Sequence, residues 1–201
     1  MCHVLNGNLG HAEIPRDKLR EIRREDARSA AAVIGAESVT LDIDDLDIYV
    51  DREARLRMTE AIRQAKPDLM LLPDPADYMP DHTVVSTVGF DASFTATLPQ
   101  LITKSPVHFL LTPIYYMDTV AGLGFAPEEF VDITEVVETK RKMIACHRSQ
   151  AAWLNQHDQV NMLEMAMVQS AFRGLQAGVR YAEAFRLHRV WGRGTTKRLL
   201  P

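Results

Sequence analysis

Apolar and polar positions alternate along this chain in two rhythms. Between residues 16 and 34, RDKLREIRREDARSAAAVI, residues Leu19, Ile22, Asp26, Ala30, Val33 and Ile34 fall near helical spacing, and Gly35 follows as a natural stop. Residues 51 to 65, DREARLRMTEAIRQA, repeat the rhythm; Asp51 serves as the cap and Pro67 ends the run. HTVVSTVGFDASFTATL also reads as helical. A long helix is expected from near Pro127 through VVETKRKMIACHRSQ, with two more over 160–177 and 179–189. Short apolar runs sit between them: HVL at His3 to Leu5, SVTLDI, DLMLLP and VHFLLTPIYYMD, each a strand candidate. Strand and helix in alternation predict an α/β fold with a mostly parallel sheet covered by helices on both faces. Sites in such sheets lie outside the carboxyl ends of the strands. The polar stretches LNGNLGH, LDIDDLD, PDPADYMPDH and YYMD all fall at such ends.

Composition narrows the classes. The 201 residues are 46% hydrophobic and 25% charged, which fits one globular domain over residues 1–201. A net charge of −4 gives no global field for nucleic acid. Arg186, Arg189, Arg193, Lys197 and Arg198 form a local charge run, and residues 190–201 read as a solvated basic tail. Two cysteines, Cys2 and Cys146, make neither a metal pair nor a disulfide framework, so a reducing cytoplasm is expected. No apolar run reaches the ~18 residues of a membrane span. A small-molecule substrate is the expected partner, and a homo-oligomer is compatible with everything above.

PDPADYMPDH packs three aspartates and a histidine into ten residues. His82 is either a metal ligand or a helix-capping surface histidine. Asp77 and Asp81 flank it; each can orient a ligand imidazole, and Asp81 can equally be an N-cap. Met79 carries a thioether, which donates no proton and favours soft metals over zinc. Arg23 shares its helix face with Arg20, Arg24 and Arg28, the pattern of a solvated stripe. Asp45 reads as a turn residue, with Asp44 and Asp47 equally eligible. His147 on an amphipathic helix reads as a core histidine, and Tyr115, Tyr116 and Met117 as strand core.

Several stretches, taken in order, resemble the LmbE-like (PIG-L) family of zinc-dependent deacetylases of N-acetylated amino sugars. LNGNLGH resembles the segment after the family's second strand. IRREDARSAAAVIGA resembles its Arg–x–x–acid, Ala-rich helix. LDIDDLDI resembles its Asp-containing loop, DPADYMPDH its His–Pro–Asp–His loop, and KRKMIACHRSQ its Lys…His–x–Ser–Gln helix. The resemblance implies a Rossmann-like three-layer sandwich and a zinc-activated water attacking the amide of an N-acetylglucosamine-type substrate. It implies His82 as a zinc ligand, with Asp81 and His147 in catalytic support. It implies Arg23 and Asp45 as substrate contacts, with Met79 where the family has a histidine that stabilises the tetrahedral intermediate. The family's Ala–His–Pro–Asp–Asp segment, which supplies two further ligands and the general base, has no counterpart here. The expectation is therefore a domain lacking its first strand and starting downstream of the natural start, binding zinc poorly and turning over little. The rival expectation is an inactive relative acting as a binding or structural protein.

Overall fold

A computed structural model describes residues 1–201. The chain divides into two units, Met1–Asp47 with Asp132–Glu183, and Ile48–Val131 with Ala184–Pro201. In the first, β1 (Cys2–Leu5) pairs in parallel with β2 (Val39–Ile43), joined through α1 (Arg16–Ala32). Helix α1 buries Leu19, Ala27, Ala30 and Ala31, and Gly35 at φ 67° closes it in the left-handed conformation. The unit is completed by α4 (Val137–Cys146), α5 (Arg148–His157) and α6 (Met162–Ala177).

The second unit holds α2 (Arg52–Ala65), capped as expected by Asp51, whose carboxylate accepts the Ala54 N–H at 2.9 Å. Next come β3 (Met70–Leu72) and α3 (Pro80–Thr95), and the sheet runs in the order β3–β4–β6–β5. Strand β4 (Ile114–Met117) is parallel to β3 and antiparallel to β6 (Ala182–Leu187); β5 (Glu129–Asp132) is an edge. Ile114 and Tyr115 are fully buried in its core beside Phe185 and Leu187. The Tyr115 hydroxyl donates to Glu129 at 2.9 Å; burial first, and that carboxylate second, push its pKa up to about 12. Arg63, 1% exposed, donates to the carbonyls of Ala96, Leu98 and Leu101 at 2.7–3.1 Å and pins the chain that leaves α3. The α/β class and its parallel pairing match the sequence reading; the strands form two sheets, one of them mixed.

Four local expectations are corrected. VHFLLTPIYYMD becomes strand only at its end: Pro106 and Pro113 bracket a segment without ladder pairing, where Phe109 is 76% exposed. The expected long helix from Pro127 is β5, a 3₁₀ turn and then α4 and α5, broken at His147, whose ψ of 59° no α-helix accommodates. Residues 179–189 hold β6, not a helix; Gly178 at φ 75° ends α6, and Ala182–Leu187 is a mainly buried inner strand of the sheet. The basic run is not wholly solvated either. Arg193 is buried, donating to the Thr112 carbonyl and to Ser93, and Arg186 pairs with Asp74 at 2.5 Å.

Candidate active site

Two loops of the first unit interlock. Asn6 donates to Asp44 at 2.7 Å, and Asp45 accepts the N–H groups of Gly7 and Leu9 at 2.9 and 3.0 Å. Asn8 in turn accepts the Asp45 N–H. The amide hydrogen bonds from Asn6 and Asn8 hold the Asp44 carboxyl below its ordinary range. Asp45 is therefore the brace of the first loop. Only second lone pairs on its two oxygens remain for a sugar hydroxyl.

Arg23 lies under that loop. Its guanidinium donates to the Gly10 carbonyl at 3.0 Å and to Gln150, while its buried Nε has no partner. Gly7 at φ 74° is required here, because a Cβ would stand 2.9 Å from Arg23 Cγ. Ser149 donates to Asp26 at 2.8 Å, so the Ser and Gln of HRSQ both dock α5 onto α1. His147 takes the kink between α4 and α5. Burial lowers its pKa, Arg23 lowers it further and Asp26 opposes both. His3 is lowered by burial and by His147, and its Nε2 is buried without a partner. These groups face a cavity of about 180 Å³ lined by Arg20, Arg23, Arg24, Arg28, His3 and His147, with no carboxylate among its lining residues. The expected solvated stripe is half wrong: Arg23 is turned inward, whereas Arg20 and Arg24 converge on Asp42. His3 escaped the sequence reading; its only signal was a histidine inside an apolar strand.

In the second unit the DPADYMPDH loop is built around Asp77, whose side chain is 3% exposed. One oxygen accepts the Met79 N–H at 2.9 Å and faces His82 Nδ1 at 3.2 Å; the other accepts the Val120 N–H at 3.0 Å. That contact favours the tautomer protonated on Nδ1 and leaves Nε2 as the lone-pair nitrogen of a 43% exposed ring. Asp77 thus orients His82. Asp81 stands in the first turn of α3, where it complements the helix dipole. The N-cap reading of Asp81 is thus corrected: the cap position falls on Met79, which makes no side-chain cap bond.

A catalytic zinc typically takes three protein ligands and one open position. No three His, Cys, Asp or Glu side chains in the chain come together to hold a metal ion. The pair Asp77–His82 falls one donor short, and Asp77 is already engaged by two backbone N–H groups. The residues present do not fit a three-ligand zinc centre.

Residues 1–93 match the profile of the PIG-L family, GlcNAc-PI de-N-acetylase. The chain is 29% identical over 194 residues to diacetylchitobiose deacetylase of Thermococcus kodakarensis, covering 91% of this chain and 69% of that protein. It is 27% identical over 148 residues to 4-oxalmesaconate hydratase of Pseudomonas putida, covering 69% of this chain and 54% of that one. Among solved structures, the N,N'-diacetylchitobiose deacetylase of Pyrococcus horikoshii superposes with a TM-score of 0.76 at 26% identity, over 92% of this chain and 71% of that one. The relatives are thus enzymes, deacetylases and a hydratase. Residues 1–93 thus match the PIG-L (LmbE-like) family, in a chain whose fold is that of a solved diacetylchitobiose deacetylase.

Proposed function

We propose that this protein is a hydrolase that removes the acetyl group from an N-acetylated amino sugar of the N-acetylglucosamine type. The observation that carries the reading is the similarity to diacetylchitobiose deacetylase along 91% of the chain. The geometry supports it with an aspartate-oriented imidazole at His82 and an arginine-lined cavity at Arg23. In the reaction a water oxygen bonds to the amide carbon, the C–N bond breaks, and acetate and the protonated amine leave. Arg23 and His147 line the polar wall against sugar oxygens, and Asp45 holds that wall's loop. Met79, half-buried before α3, offers an apolar contact and no proton. Zinc would supply the activated water in such an enzyme. Because the donors present do not fit it, none of these roles runs through the metal. Both cysteines are free, which suits the reducing cytoplasm expected from their number. No helix is long and apolar enough to cross a membrane.

A second reading, a family member that binds such sugars without turnover, is favoured by the missing third donor. The two separate in one assay: acetate release from N,N'-diacetylchitobiose across added zinc, with and without chelator. Release that His82→Ala abolishes supports the hydrolase. No release at any zinc concentration, with sugar binding retained, establishes the binder.

A further inference from the structure

The second unit carries a cavity that the deacetylase reading leaves unused. Its volume is about 480 Å³, inside the roughly 300–1,000 Å³ range of small-molecule sites. Phe90, Asp91 and Phe94 of α3, Arg55 of α2 and Trp191 of the C-terminal segment line it. Trp191 is 93% exposed, yet its backbone is held. Arg193, two residues on, is buried. It donates to the Thr112 carbonyl at 2.5 Å and to Ser93 at 2.7 Å, and stacks over Phe90 at 5.3 Å. Gly192 at φ 76° makes the turn, where a Cβ would meet Leu111 at 2.8 Å. A large indole face is thus displayed on a fastened turn.

The polar part of the wall decides what fits. Arg55 donates through Nε and Nη2 to a single oxygen of Asp91, at 3.3 and 3.1 Å. Asp91 Oδ1 and Arg55 Nη1 make no hydrogen bond. A purely apolar occupant would cover both and leave them unsatisfied. An anion would meet the free carboxylate oxygen of Asp91, whose other oxygen already pairs with Arg55. A neutral ring with one apolar face and adjacent hydroxyls satisfies every group: carbon–hydrogen bonds on the indole, one hydroxyl donating to Asp91 and its neighbour accepting from Arg55.

We propose that this Trp191–Asp91–Arg55 cavity is a carbohydrate-binding site that stacks a neutral pyranose ring. The choice of an N-acetylglucosamine oligomer as probe rests on the deacetylase reading, but binding needs no turnover, so the two stand or fall separately. The experiment is a titration of the full chain carrying Trp153→Phe and His82→Ala with N,N',N''-triacetylchitotriose. Trp191 is then the sole indole. A saturable change in its fluorescence is expected, together with at least tenfold weaker binding by calorimetry in Trp191→Ala and in Asp91→Ala, and partial recovery in Trp191→Phe. Trp191 is exposed, so its variants retain the fold, checked by circular dichroism. Calorimetric affinity unchanged in Trp191→Ala overturns the proposal. So does a Trp191 signal that depends on protein concentration alone, with doubled mass in solution, which would make a second copy of the chain the occupant.

Discussion

Asp45 and Asp77 do the same local job with different consequences. Each accepts two backbone N–H groups and thereby fixes a loop after a strand. Asp45 is half-buried, and both hydrogen bonds to its carboxylate tie its loop to the neighbouring one at Gly7 and Leu9. Asp77 is buried, joins its own loop to the turn at Val120, and has His82 against one oxygen. A carboxylate becomes an orienting group when burial removes water as a competitor and leaves an imidazole as the remaining partner. The spacing of aspartates within a motif does not reveal which one will be buried. Asp81, adjacent in sequence to His82, stands in the first turn of α3.

The sharpest break of this comparison is Asp77→Ala. It removes two backbone acceptors and the histidine partner from a buried site, and unfolding in urea should show a loss of roughly 3 kcal/mol. Asp45→Ala should cost about 1–2 kcal/mol in the same measurement, because water reaches its loop and replaces part of what is lost. Equal losses would erase the distinction between the two loops. A smaller effect comes from pH. His3, His147 and His188 all have pKa values lowered chiefly by burial, so the unfolded chain binds more protons than the fold once pH drops below the ordinary value of 6.5. Stability is therefore full above about pH 6.5 and falls as pH decreases from there. His188→Phe should flatten that slope in urea midpoints measured between pH 7 and 5; an unchanged slope would remove His188 as a contributor.

Much of the molecule is legible in the order of its residues. The span of α1, the Asp51 cap of α2 and the strand β3 follow from period, cap and punctuation, which are local properties. The errors cluster where pairing partners decide. Ala182–Leu187 is an apolar run that could be helix or strand by itself; β4 offers it an antiparallel edge and makes it β6. VHFLLTP is equally apolar, but no strand reaches it between its prolines. The kink at His147 is hidden because the residues on both sides favour helix.

Residue order alone carries the class of fold, the two loops rich in aspartate, and the family that residues 1–93 match, since these rest on short-range pattern. Packing in three dimensions sets the rest: the buried Asp77 faces His82, Arg23 and Arg193 turn inward while Arg20 and Arg24 converge on Asp42, and Trp191 is shown to solvent on a fixed turn. Which partner a charged side chain meets depends on groups distant in sequence and on the exclusion of water around them. Neither quantity is written in the local order of residues.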